Sequence, residues 1–359
     1  MSYELAHNLH VFVMMKRVIF ILNPASGTQN KELIISQIDD IINKEKYQSE
    51  IVWTSYAGHA VEIAQKAAEE GVYAVIAVGG DGTVNEIGRS LIHTDTIMGI
   101  VPSGSGNGLA RHLQIPMEPK KALEVINESL VETIDYGLIN KVPFFCTCGV
   151  GFDAFVSLKF AKAGKRGLLT YLEKTLQESL TYQPETYELE TEDGMEKHKA
   201  FLIACGNASQ YGNNAYITPQ ATLTDGLLDV TILEPFTVLD VPSLAYQLFN
   251  KTIDQNSRIK TFRCKKLKIS RSKSGVAHFD GDPMMTDHVV NIEIITNGLK
   301  VFVPREKEVK EGLNVLQKAQ EYVNGLKQLN DSIFEDITAK NRTLLNKNKE
   351  LLKKLTTRD

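Results

Sequence analysis

The chain has 359 residues, long for a single core, so two domains are expected. Its 43% hydrophobic content is that of a globular protein, and 40 Lys plus Arg against 44 Asp plus Glu leave a formal net charge of −4. That balance argues against a dedicated nucleic-acid binder while leaving a local basic patch open, and no stretch is apolar and long enough to span a bilayer.

The opening MSYELAHNLHVFVMM has neither the basic start nor the small-residue cleavage site of a secretory signal. It reads as a leader over residues 1–15, either disordered or the product of a start placed too early. RVIFIL (Arg17–Leu22) then predicts a strand ending at Asn23-Pro24, and NKELIISQIDDIINKEK carries apolar residues at helical spacing. SEIVWT predicts a strand to Thr54, and HAVEIAQKAAEEG a helix stopped by Gly71. YAVIAV predicts the next strand. A glycine loop follows, then a helix over Asn85–Leu91, a strand TIMGIVP, and SGSGNGLARHL. This alternation predicts an α/β domain with a doubly wound parallel sheet over residues 16–135.

From about Asp135 the texture changes to short alternating runs such as VPFFCTCGVG, YELETED, KAFLIACGN, GLLDVTIL and KLKISRS. They predict a mostly antiparallel β-sandwich domain over 136–297, with helical inserts at Leu168–Glu178 and around Val238–Asn250. Residues 305–359 contain no proline, and Leu316, Val323, Asn330, Ile337, Leu344 and Leu351 recur at sevens. Ala319, Leu326 and Ile333 supply a second seam that fails at Lys340 and Lys347. The tail is expected to be helical. It is either a coiled coil that makes a homodimer, with Asn330 setting register, or an amphipathic helix lying on its own domain. The 4 cysteines form no CxxC pair and read as core or strand residues of a cytoplasmic protein.

Three turns fall at the carboxyl ends of predicted parallel strands, where ligands bind in such sheets: NPASG (Asn23–Gly27), GGDGT (Gly79–Thr83) and SGSGNG (Ser103–Gly108). Exposed amides in front of a helix N-terminus form an anion site. Gly79, Gly80 and Gly82, and again Gly104, Gly106 and Gly108, would admit phosphate without Cβ clashes and allow positive φ. Two such loops on one edge suggest a polyphosphate; the alternative is tight turns whose glycines serve only the backbone. Asp81 repels phosphate, so it requires an intervening Mg²⁺ or a role in positioning a donor or proton acceptor. Walker A, protein-kinase and GxGxxG dinucleotide patterns are missing from the sequence.

GGDGTVNE (Gly79–Glu86) resembles the signature of the diacylglycerol kinase catalytic domain superfamily, which also holds sphingosine and ceramide kinases. NPASG, TSYAGHA (Thr54–Ala60) and PSGSGNGLAR (Pro102–Arg111) resemble its nucleotide loops. GVGFDA (Gly149–Ala154), TDGLLDV (Thr224–Val230) and HFDGDP (His278–Pro283) resemble segments of its second domain, in the right order. The resemblance covers about Lys16 to Pro304. It implies a lipid kinase using ATP and Mg²⁺, with ATP at the first sheet's edge, a lipid acceptor between that edge and a β-sandwich, and a last strand (about 298–304) returning to the first domain. The enzyme would meet diacylglycerol or a sphingoid lipid at the inner face of the membrane.

By position, the resemblance assigns nucleotide contacts to Asn23, Pro24, Ala25, Ser26, Gly27, Thr54, Gly79, Gly80, Asp81, Gly82, Thr83, Asn85, Glu86 and Ser105. Thr54 and Ser105 offer hydroxyls, and Asn85 and Glu86 would orient the loop, although Glu86 also reads as an N-terminal dipole partner. Asp280 is expected to accept the lipid hydroxyl proton, alone or coupled with Asp282, where bacterial relatives often carry a glutamate that acts as proton acceptor. Asp153 is assigned to the lipid head or to a helix N-cap, and Thr222, Asp225 and Leu227 to a structural Mg²⁺ loop or a plain hairpin turn. Lys165 and Arg166 are phosphate-binding or solvated, and the basic stretch Arg258–Lys273 is a membrane contact or the wet face of strands. A NAD kinase is opposed by NPASG and HFDGDP, and a decayed nucleotide- or lipid-binding scaffold by the intact Gly79–Glu86 loop and Asp280.

Overall fold

A computed structural model describes residues 15–24, 30–163 and 182–305. Residues 1–14 of the leader, Ala25, Ser26, Gly27, Lys165, Arg166, the Leu168–Glu178 insert and the heptad tail lie outside the described residues. β1 (Lys16–Leu22) takes β2 (Tyr47–Trp53) on one side and β3 (Ala74–Gly79) on the other, and β4 (Ile97–Pro102) extends β3, all in parallel. β3 and β4 are buried at every residue, which is why they read as unbroken apolar runs. Two helix pairs cover this sheet: α1 (Lys31–Ile41) with α5 (Pro119–Glu128), and α2 (His59–Glu69) with α3 (Asp81–Leu91). A short α4 (Gly108–His112) follows β4.

The helix expected over Asn85–Leu91 begins earlier, at Asp81. Only Gly80 separates it from β3, and Gly80 is its N-cap in extended conformation. The predicted glycine loop is therefore largely the first turn of α3.

The second half builds two sheets. β7 (Thr147–Gly151), β10 (Leu202–Gly206), β11 (Leu228–Leu233), β12 (Ile259–Cys264), β14 (Gly275–Phe279) and β15 (Asp282–Thr286) form an antiparallel sheet in the order β12-β11-β10-β7-β14-β15. Facing it are β5 (Val131–Ile139), β6 (Val142–Phe144), β8 (Glu185–Thr191), β9 (Gly194–Ala200), β13 (Lys266–Arg271) and β16 (Val289–Phe302), which continue the first sheet into a ten-stranded whole. Phe144, Ile203, Leu228, Ile269 and Ile292 fill the core between the two sheets. All four cysteines are buried and free, with Cys148 and Cys205 opposite each other on β7 and β10.

The join is β16. It pairs antiparallel with β13 and β5, then reaches β4 in parallel at Val301. Its register with β5 shifts between Ile295 and Leu299, where buried Asp135 accepts the Asn297 N–H at 2.8 Å and the Gly226 N–H at 2.8 Å. α6 (Phe152–Ala163) follows β7, and α7 (Val241–Phe249), preceded by a 3₁₀ turn at Val238–Asp240, occupies the predicted second insert.

The basic stretch Arg258–Lys273 is largely matched inside the chain. Lys260 meets Glu234 (2.9 Å), Arg263 meets Asp229 (3.0 Å), Lys266 meets Glu293 (3.1 Å) and Lys268 meets Glu190 (2.8 Å), while buried Arg271 donates to the Val276 carbonyl. These pairs favour the strand-face reading of the stretch.

Candidate active site

The strand ends of the parallel sheet bring together the segments that sequence placed there. Asn23 Nδ2 donates to Thr83 Oγ1 at 3.2 Å, so the end of β1 is tied to the first turn of α3. The Thr54 N–H donates to the Leu22 carbonyl at 2.9 Å, and Glu86 Oε1 accepts the Gly58 N–H at 3.2 Å, fixing the loop after β2. Ser103 N–H donates to the Gly79 carbonyl at 2.9 Å.

The glycines act differently from expectation. None of Gly79, Gly80, Gly82, Gly104, Gly106 and Gly108 has positive φ. A Cβ on Gly104 would lie 2.5 Å from Gly80 Cα, and one on Gly106 would lie 2.5 Å from Asp81 Oδ2. Gly80 and Gly104 let two loops touch backbone to backbone, and Gly106 leaves room for the Asp81 carboxylate. Gly82 alone among the six meets nothing within 4 Å of an added Cβ and keeps open space before it.

That contact explains Asp81. Its Oδ2 accepts the Asn107 N–H at 2.8 Å and its Oδ1 the Gly108 N–H at 2.7 Å, stapling the loop after β4 to α3. Burial pushes its carboxyl above the ordinary value, against the pull of those two amides and of Arg111. The second acid, Asp280, sits with Gly281 at the β14–β15 hairpin tip, both at positive φ as a two-residue turn of this kind requires. Asp280 Oδ2 accepts from Asn85 Nδ2 (2.7 Å) and the Phe145 N–H (2.8 Å); its Oδ1 accepts the Cys146 (2.8 Å) and Thr147 (3.1 Å) amides. Four donors fill the acceptor positions of this carboxylate, and burial still drives its pKa upward. Three donors are main chain; only Asn85 is a side chain. Asp282 is exposed.

Asp81, Asn85, Ser105 and Asp280 line the polar end of one cavity of ≈ 430 Å³. Its body is apolar, with Phe152, Val156, Leu202, Ile217, Leu244 and Leu248 in its wall. One polar cluster stands in that wall: Asp153 Oδ2 accepts the Tyr211 hydroxyl at 2.9 Å and lies 3.0 Å from His278 Nε2, while its Oδ1 takes the Ala154 N–H at 2.8 Å. Asp153 thus sits in the first turn of α6 and also faces the cavity. Thr222, Asp225 and Leu227 lie elsewhere, in the loop that Asp135 holds. Asp225 Oδ1 accepts the Leu227 N–H at 3.1 Å and its Oδ2 lies 3.8 Å from Arg263, so this carboxylate faces a guanidinium. Among the described residues no three His, Cys, Asp or Glu side chains converge as a cation cage.

Three participants escaped the sequence reading. Lys31, at the start of α1, places its Nζ 2.5 Å from Ser103 Oγ beside the glycine loops; the Asn30 N-cap before it was the available signal. His278 is adjacent to Phe279 in the quoted HFDGDP, and Tyr211 follows the β10 run, but nothing local marks their convergence on Asp153.

Comparison with known proteins agrees with this architecture. Residues 17–139 match the diacylglycerol kinase catalytic domain, and residues 146–303 match the YegS C-terminal NAD kinase beta sandwich-like domain. The chain carries a diacylglycerol kinase catalytic domain. It is 26% identical over 304 residues to a protein of Bacillus subtilis named diacylglycerol kinase, covering 82% of this chain and 98% of that one. It is 36% identical over 188 residues to a Chromohalobacter salexigens protein named "Probable lipid kinase YegS-like", a match spanning 51% of this chain and 60% of that relative's length. A crystal structure of a diacylglycerol kinase from Bacillus anthracis superposes with a TM-score of 0.63 at 18% identity, over 81% of this chain and 98% of that one, and shares its fold.

Proposed function

We propose that this protein transfers the γ-phosphate of ATP to a hydroxyl of a lipid, with diacylglycerol or a sphingoid lipid as acceptor. The observation that carries this reading is that Asp81, from the glycine-loop side, and Asp280, from the sandwich side, line one cavity and are linked through α3 by the Asn85–Asp280 hydrogen bond. Family likeness supports the kinase chemistry, and the apolar body of the cavity supports a lipid acceptor.

In this reading the phosphates sit before α3, whose N-terminus has no capping side chain, with Gly82 leaving room for them. Lys31 adds positive charge at the same edge. The acceptor hydroxyl takes the place of Asn85 on Asp280 Oδ2, the one donor that is a side chain. Its oxygen forms the new bond to Pγ, the bond from Pγ to the bridging β-phosphate oxygen breaks, ADP leaves, and the hydroxyl proton passes to Asp280. Asp282 is the second acid at this tip. The described carboxylates do not form a preformed cage for Mg²⁺, and Asp225 suits a guanidinium better than a structural ion.

The test is [γ-³²P]ATP offered to diacylglycerol, sphingosine and ceramide in mixed micelles, with Asp280→Asn alongside. Label on one lipid that disappears in the variant supports the reading. Label on NAD alone, or ATP binding with no turnover on any lipid, overturns it.

A further inference from the structure

α7 carries no charged residue, alone among the described α-helices. Its inner face supplies Leu244 and Leu248 to the cavity wall. Its outer side is uncharged too. Leu239, in the 3₁₀ turn that leads into it, is 90% exposed and Tyr246, one stripe along, is 56% exposed, with Pro242 and Ser243 exposed between them. A helix apolar on both sides is normally covered on both. The cations nearby are engaged within this chain: Arg258 lies 3.9 Å from Asp240 and Lys260 2.9 Å from Glu234, while Lys251 sits over the Tyr216 ring.

We infer that Leu239 and the outer face of α7 insert into the surface of a lipid bilayer, and that the acceptor passes over this helix into the cavity. The inference rests on the lipid-kinase reading for what travels along that route. A bilayer is the occupant because the same helix walls the cavity: an acyl chain that leaves the membrane past α7 meets the apolar side chains of Leu244 and Leu248 on its other side. Because the neighbouring cations are already paired, the contact is one of apolar insertion, and it should depend little on anionic lipid or on salt.

The test is sedimentation of the full chain with phosphatidylcholine vesicles, with and without phosphatidylglycerol, in the absence of ATP. The wild type is expected to bind both kinds. Leu239→Asp combined with Tyr246→Asp should weaken partitioning about tenfold or more, and Leu239→Trp should strengthen it. Transfer to a dioctanoyl acceptor kept below its micelle concentration should be unchanged from wild type in both variants. Equal vesicle binding by all variants overturns the inference. So does binding that appears only with phosphatidylglycerol, or a wild-type dimer in analytical ultracentrifugation that the double substitution dissociates without altering vesicle binding. Vesicle binding is read without turnover, so loss of the kinase reading and loss of the docking reading are separate results. A double variant that fails to fold leaves the gain expected of Leu239→Trp as the deciding measurement.

Discussion

The edge of the parallel sheet and the cavity below α6 and α7 are two halves of one site made of different material. At the edge, recognition is almost all main chain: Gly80 and Gly104 touch through their backbones, and Asp81 is read by two amides. In the cavity, recognition is almost all side chain, with an aliphatic and aromatic wall broken by Asp153, Tyr211 and His278. A main-chain contact such as that of Gly80 with Gly104 tolerates few sequences because a Cβ intrudes. A side-chain surface accepts many, since hydrophobic residues of similar volume exchange at low cost. Asp280 belongs to both halves, holding Asn85 of the first and the β6–β7 junction of the second.

Removing that link has the largest expected effect. Asp280→Asn puts an amide NH₂ among three main-chain donors, so buried N–H groups lose their acceptor and, on the proposed mechanism, the base is lost. Transfer should fall by about 10²–10⁴-fold, with a lowered melting temperature. Asp282→Asn, on an exposed side chain, should cost less than about tenfold, below the range of a positioned base. Kinetics of the two variants side by side assign the role; a silent Asp280→Asn with a dead Asp282→Asn would move it to the exposed acid.

Within the edge, the glycines sort by what surrounds them. Gly104→Ala brings a Cβ to 2.5 Å from Gly80 Cα and must separate the loops, costing about 1–3 kcal/mol. Gly82→Ala meets nothing within 4 Å, in the first turn of a helix, and should change stability by no more than about 0.5 kcal/mol. If phosphate occupies that space, Gly82→Ala raises the KM for ATP with the melting temperature held. An unchanged KM would show that the open space serves another purpose. In the cavity, Tyr211→Phe deletes one hydrogen bond to Asp153, and should raise the lipid KM while leaving the ATP KM alone.

The same contrast sets what sequence could reveal. β3 and β4 were legible because strands buried on both faces must be unbroken apolar runs, and the two loops after them because their glycines sit at strand ends. The reason for those glycines was not legible: close approach of Gly80 to Gly104 joins residues more than twenty apart, and positive φ, the local explanation, is not used. The early start of α3 was hidden because glycine and aspartate in a helix's first turn look like a loop. The resemblance implied a last strand returning to the first domain; that it is the end of one long strand, β16 from Val289 to Phe302, with a register shift beside Asp135 of another strand, was not legible. The Asp153–His278–Tyr211 cluster joins three segments with no shared pattern.

The smallest expected effect concerns the charge that both halves bury. Asp81 and Asp280 are each raised above the ordinary carboxylate value of 3.8, by burial first. A carboxyl whose folded pKa exceeds its unfolded one binds its proton more tightly in the folded state. Its stabilising contribution is complete below 3.8 and is lost as pH rises through the folded value. As pH falls from neutral toward that range, these two groups therefore add stability, while acids held low, such as Asp95 beside Lys300, act in the opposite sense. Melting curves of the wild type and Asp81→Asn across this interval should differ in slope, the variant having lost one of the two rising contributions. Parallel slopes would mean that the two amides offset burial at Asp81, and that the glycine edge carries its charge without cost to the fold; a slope of the opposite sign would mean that the amides dominate.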